Sequence, residues 1–125
     1  MDAFRRAVEA RDLVAVTALL SPNVAFYSPV SHKPYRGRDL VGWILAAVIT
    51  IFEDFEYVDA LAGDGGHSML RFRAHIGDRE VEGVDLIELD DDGRVATLTV
   101  MVRPLSGLQA LAENMAVQFA ARGPR

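Results

Sequence analysis

From Phe55 to Arg103 the hydrophobic pattern runs with a period of two, and this stretch limits the fold more than any other. Successive side chains on a strand point to opposite faces, so such alternation marks strands with one buried and one exposed side. Strands are predicted at Phe55–Leu61, Ser68–Ile76, Glu80–Leu89 and Arg94–Arg103. Their connections are Gly63-Asp64-Gly65-Gly66, Gly77-Asp78 and Asp90-Asp91-Asp92-Gly93. Links this short join antiparallel neighbours, which predicts a meander. A sheet with one apolar face needs a covering layer, and the rest of the chain must supply it.

That layer reads as helical. Phe4, Ala7, Val8 and Arg11 share one helical face, and Ala15, Val16, Leu19 and Leu20 follow Asp12, a good N-cap residue. Two short helices broken near Asp12 are expected. Ser21-Pro22-Asn23 has turn chemistry, Val24 to Val30 suits a strand, and His32 to Gly37 suits a loop. Arg38 to Phe52 is apolar all round, as in a helix buried on most sides, with Trp43, Ala47, Val48 and Ile51 on one face. After Pro104, the stripe Leu108, Leu111, Met115 and Phe119 predicts a C-terminal helix packed on the domain. This order of elements predicts an α+β fold, a curved sheet wrapped around helices. A chain of 125 residues suits one core, hence a single domain over 1–125.

Composition removes several functions. A net charge of −5 gives a field that repels phosphate backbones, so no nucleic-acid partner is expected. The absence of cysteine excludes disulfides, thiolate nucleophiles and Cys-ligated metals. The longest apolar stretch, Leu40 to Phe52, falls short of the roughly 20 residues of a membrane span, and Met-Asp-Ala-Phe-Arg-Arg lacks the pattern of a signal peptide. No membrane association and a cytoplasmic location are the expectations. Phosphate-loop, dinucleotide, nucleophile-elbow and zinc-peptidase motifs are missing. His32, His67 and His75 have no metal-ligand spacing, and Asp90-Asp91-Asp92 before Gly93 suits a solvated hairpin turn. Neither a metal nor a cofactor is expected.

Face by face, one residue breaks the rule that apolar side chains go inward. In Glu80–Leu89, Val81, Gly83, Ile87 and Leu89 form the more apolar face, and Asp85 shares it. An acid pointed into an apolar interior carries a desolvation cost, which marks Asp85 as a candidate functional carboxyl with a raised pKa; the alternative is a solvated carboxylate at the end of the sheet. Gly83 beside it is expected to leave space for a ligand. In Ser68–Ile76 the inward row is Leu70, Phe72, Ala74 and Ile76, and in Arg94–Arg103 it is Leu98, Val100 and Val102. Outward, Arg71, Arg73 and His75 stand beside Glu80, Glu82 and Glu88, as in a salt-bridged or interface surface.

The run from Asp12-Leu13 through Leu19-Leu20-Ser21-Pro22-Asn23-Val24-Ala25-Phe26 resembles the opening of the NTF2-like superfamily. Ser28-Pro29-Val30 and Pro34-Tyr35-Arg36-Gly37-Arg38-Asp39 resemble its first strand and following loop. Gly83-Val84-Asp85, Asp92-Gly93-Arg94-Val95 and Met101 to Leu108 resemble its SnoaL-like branch. The similarity covers almost the whole chain. It implies a cone-shaped barrel with an apolar cavity closed by the N-terminal helices, and a homodimer formed through the outer sheet faces.

In the same superfamily, ketosteroid isomerases use a carboxylate base with a tyrosine and a protonated aspartic acid as oxyanion hole. By resemblance the oxyanion-hole aspartate falls on Asp85, the base on Ser28 and the tyrosine on Phe4. Serine lacks a basic form near neutral pH and phenylalanine has no donor, so two of three groups are replaced. SnoaL-type polyketide cyclases work with one acid–base aspartate, a role open to Asp85. The related epoxide hydrolases use an Asp-Arg-Asp set, which the inward faces do not offer.

The expected function is binding of a small apolar or cyclic molecule, polyketide- or steroid-like, with Asp85 catalysing isomerisation or cyclisation by proton transfer. The expected lining is Phe4, Val8, Phe26, Ser28, Trp43, Val48, Phe72, Val100 and Val102. His32 belongs either to the cavity mouth or to a solvated loop. A non-catalytic small-molecule-binding or accessory protein is the alternative.

Overall fold

A computed structural model describes residues 2–122. The helix break foreseen near Asp12 separates α1 (Asp2–Glu9) from α2 (Leu13–Ala18). Arg11 takes a positive φ of 55° at the break, and the Asp12 side chain accepts from the Ala15 N–H at 3.1 Å, capping α2. Helix α1 buries Phe4, Ala7 and Val8.

Strand β1 (Leu20–Tyr27) begins four residues earlier than its composition suggested. Leu20 already pairs with Val95, and a register shift between Leu20 and Ala25 absorbs the Ser21-Pro22-Asn23 turn chemistry inside the strand. The expected loop holds a two-residue strand, β2 (Tyr35–Arg36). Helix α3 (Arg38–Ile51) follows, and its Gly42 permits the crossing over α2: a Cβ there would stand 2.8 Å from Thr17 Oγ1.

The meander consists of β3 (Glu53–Ala62), β4 (His67–Ile76), β5 (Arg79–Leu89) and β6 (Val95–Arg103), and α4 (Leu105–Arg122) closes the fold. All strands join one sheet in the order β2-β1-β6-β5-β4-β3. Every pair is antiparallel except β1 with β6, which run parallel and are joined through β2, α3 and β3–β5, the long connection that a parallel pair needs. The inner face of the sheet packs on α1, α3 and α4, with Leu70, Phe72, Val81, Ile87 and Leu98 almost fully covered. Gly107 brings α4 against β5; a Cβ there would stand 2.7 Å from the Glu80 carbonyl oxygen.

Outward, Glu82 gathers Arg71, Arg73 and Arg103 at 3.3, 3.6 and 3.5 Å. Opposite charges thus meet between neighbouring strands at Glu82, and again at Glu88, which lies 3.2 Å from His67, whereas His75 turns to Asp54 of β3 at 2.7 Å. No helix among the described residues is long and apolar enough to cross a membrane.

Candidate functional site

Between the inner face of the sheet and the helices lies a cavity of about 60 Å³. Its walls come from α1 (Phe4, Val8), β1 (Phe26), α3 (Leu45, Val48, Ile49), the sheet (Phe55, Phe72, Leu98, Val100) and α4 (Leu111). Among the described residues that line it, only Tyr57 and Asp85 carry a polar side-chain group. Both are buried, at 6% and 7% exposure.

The two polar groups meet. Tyr57 donates its hydroxyl to Asp85 Oδ2 at 2.7 Å, a short, charge-assisted length. Burial among apolar side chains pushes the Asp85 carboxyl up to about 7, while the Tyr57 hydrogen bond pulls it the other way. Burial first, and the Asp85 charge second, hold Tyr57 above its ordinary range, so it remains a protonated donor. Rings fix its position: Phe55 meets it edge-on at 4.9 Å and stacks on Phe72 at 5.1 Å. The Arg5 guanidinium of α1 lies over the Tyr57 ring, 6.0 Å from its centroid.

A buried carboxyl titrating near neutrality, with one oxygen held by a neutral donor, can give or take a proton at its other oxygen. The remaining lining is apolar and suits a hydrocarbon framework. Among the described residues no cluster of three or more His, Asp or Glu side chains could hold a metal ion.

Of the residues expected from sequence, Phe4, Val8, Phe26, Val48, Phe72 and Val100 line the cavity together with Asp85. Ser28 lies beyond its wall, in a neighbouring chamber, where its Oγ accepts from the N–H groups of Val30 and Ser31. His32 is exposed, because the turn built on Ser28 carries the chain outward. Trp43 faces the C-terminal helix, with its ring 5.2 Å from Phe119 and under the Arg122 guanidinium at 4.6 Å. Val102 is half-buried and outside the lining. Its strand partner is Gly83, and the space expected there is already filled: a Cβ on Gly83 would stand 2.5 Å from Phe72 Cζ.

Sequence reasoning missed Tyr57, Phe52 and Phe55. The available signal was the pair of aromatic residues at Phe55 and Tyr57, spaced by two on one strand face.

The sequence profile of the SnoaL-like domain matches residues 1–98. Among solved structures, a steroid delta-isomerase from Pseudomonas aeruginosa is 47% identical, over 95% of this chain and 88% of that one, with a TM-score of 0.91. An uncharacterized protein with a cystatin-like fold from Silicibacter pomeroyi is 31% identical, over 94% and 82% of the two chains, with a TM-score of 0.89. The epoxide hydrolase/cyclase-like enzyme SalBIII of salinomycin pyran ring formation shares the fold, at 20% identity over 83% and 87% and a TM-score of 0.68. No curated protein matches this chain.

Proposed function

This chain belongs to the SnoaL-like family, and we propose that it takes a small apolar carbonyl compound into its cavity, where Asp85 transfers a proton. The observation that carries this reading is the 2.7 Å Tyr57–Asp85 contact at the polar end of an otherwise apolar lining. With its carboxyl at about 7, Asp85 has both forms at hand near neutral pH. The carboxylate takes the proton from a carbon next to the ligand carbonyl, leaving an enolate. The protonated acid returns it at that carbon or a conjugated one, which is isomerisation, or it protonates the oxygen formed when the enolate attacks a second carbonyl, which is cyclisation. Tyr57 keeps the carboxyl in place throughout.

One residue carries all the proton transfer in this reading, since the described residues of the lining include no second carboxylate, no histidine and no arginine. The similarity to a steroid delta-isomerase supports proton-transfer chemistry on a ring ketone, and the Phe and Ser at positions 4 and 28 direct it toward ketones whose α-protons are already acidic. Exchange of the α-protons of β-tetralone in deuterium oxide, followed by NMR, tests this. Exchange above the buffer rate that Asp85→Asn abolishes is expected. Binding without exchange would favour the second reading, a non-catalytic carrier, which the turn-bound Ser28 at the base position supports.

The outer sheet face suits a second copy of the chain. Leu61, Met69, Leu86 and Thr99 follow one another in register across β3 to β6, and Leu61, Leu86 and Met101 are exposed. Light scattering should give a particle of twice the 13.7 kDa chain mass at micromolar concentration, and a single-chain mass would count against it.

A further inference from the structure

On the outer side of the sheet, away from the Asp85 cavity, both ring nitrogens of His75 are engaged. Nε2 lies 2.7 Å from Asp54 Oδ2, and Nδ1 lies 3.0 Å from the Gly77 carbonyl oxygen. A carbonyl and a carboxylate only accept, and a neutral imidazole has one N–H to give. The full arrangement therefore requires the imidazolium. The residue before Asp54 closes the cluster: Glu53 Oε1 accepts from the Gly77 N–H at 2.7 Å and stands 3.9 Å from His75 Nδ1.

The charged groups around His75 are acids. Glu53 and Asp54 come from β3, Glu80 is its register partner on β5, and Asp78 belongs to the β4–β5 turn. The nearby cations are turned elsewhere, Arg73 to Glu82 at 3.6 Å and Arg79 to the Ser106 carbonyl at 3.3 Å. The hydrogen bond to Asp54 first, and that to Gly77 second, push the His75 pKa above its ordinary 6.5. The charged form is therefore complete well below 6.5 and is lost as pH rises through the raised value.

Asp54 is not an ordinary strand residue. Its φ is 51°, in the left-handed region that aspartate and asparagine enter more readily than other side chains. It sits inside the register shift between Glu53 and Glu56, where β3 carries one residue more than β4. Phe52 and Phe55 bracket the Glu53–Asp54 pair in sequence, and both line the Asp85 cavity. Their rings lie 5.8 Å apart and pack on Phe72 at 5.5 and 5.1 Å. The bulge that aims Phe55 inward is thus held from the outer face. We propose that His75 is a pH-dependent latch on the cavity wall: its imidazolium ties the Glu53–Asp54 bulge to the β4–β5 turn and so fixes the Phe52 and Phe55 rings, and its deprotonation loosens them. The latch acts whatever the cavity takes, so it stands apart from the proton-transfer reading.

Asp85 also titrates near neutrality, so the test uses Asp85→Asn as its background, where that transition is absent. Aromatic carbon–proton NMR follows the His75 titration and the flip rate of the Phe55 ring in the same samples. The flip rate should rise through the His75 midpoint, which should lie above 6.5. Asp54→Asn keeps a residue that tolerates the left-handed backbone and removes the negative partner, so both midpoints should fall together toward 6.5. His75→Gln cannot become charged and should abolish the Phe55 transition, and it decides the matter if Asp54→Asn does not fold. A Phe55 ring indifferent to pH while His75 titrates, a His75 midpoint unmoved by Asp54→Asn, or a Phe55 transition that survives His75→Gln overturns the latch.

Discussion

Tyr57 and Asp85 touch across an intervening strand: β4 lies between their strands, and the Tyr57 hydroxyl reaches diagonally, two rungs along, to Asp85 Oδ2 at 2.7 Å. One carboxyl oxygen is thereby engaged and the other is left for the cavity. With no basic group among the described residues of the lining, burial dominates and pushes the carboxyl up from its ordinary 3.8 to about 7.

A raised carboxyl pKa has a defined effect on stability. The folded state holds the Asp85 proton between pH 3.8 and about 7, whereas the unfolded chain has released it. The contribution is complete below 3.8, is lost at up to about 1.4 kcal/mol per pH unit on the way to 7, and then stays level. Asparagine keeps the shape and cannot ionise. Relative to the wild type, Asp85→Asn should gain stability from pH 4 to 7, on the order of 4 kcal/mol in total by this arithmetic. Urea unfolding of both proteins across that range measures the difference, and parallel curves would mean that Asp85 is not shifted.

Tyr57→Phe should move the titration further up. The lost hydrogen bond is the one influence that lowers the Asp85 pKa, and without it the charged form has no partner. The variant should also lose about 1–3 kcal/mol from the unpaired buried acceptor. Carboxyl carbon NMR reads the midpoint directly; an unmoved or lower midpoint would detach Tyr57 from the site.

The polar pair was half legible in the sequence. Asp85 stood out because β5 alternates without interruption from Arg79 to Leu89, so parity alone turned it inward. Strand β3 has register shifts on both sides of Tyr57, between Glu53 and Glu56 and between Tyr57 and Asp59. Such bulges break the two-residue period, so alternation from Phe55 sends Asp59 inward, whereas Asp59 is exposed and Ala60 packs on the core. The partnership itself is non-local, set by pairings that no local pattern records. Trp43 was misassigned for a related reason: an all-apolar helix does not reveal which side meets the sheet and which meets α4.

Steroid isomerisation separates resemblance from site chemistry. A base and an oxyanion donor are each worth a factor of roughly 10² or more, and by the resemblance to ketosteroid isomerases the base falls on Ser28 and one donor on Phe4, neither of which can fill the role. Ser28 Oγ is also occupied as an acceptor of two backbone N–H groups. A β,γ-unsaturated 3-ketosteroid should therefore be converted no faster than in buffer, as absorbance of the conjugated product would record. Rapid conversion that Asp85→Asn abolishes would mean that Asp85 alone replaces the missing groups.

Gly83 supplies a test of how tightly the site is built. A Cβ there would stand 2.5 Å from Phe72 Cζ and 2.5 Å from the Met101 carbonyl oxygen, so ring and backbone both oppose it. Phe72 is 1% exposed and lines the cavity beside Phe55. Gly83→Ala should cost about 1–3 kcal/mol through overpacking and should also weaken ligand binding, because the displaced ring intrudes on the space beside Tyr57. Phe72→Leu removes the Cζ atom and with it one of the two clashes. The double variant Gly83→Ala/Phe72→Leu should then be less destabilised than the sum of the single changes, a coupling that thermal or urea unfolding of the four proteins measures. Strict additivity would mean that the Met101 carbonyl alone opposes a side chain at position 83, and that Phe72 does not depend on the glycine for its place in the cavity wall.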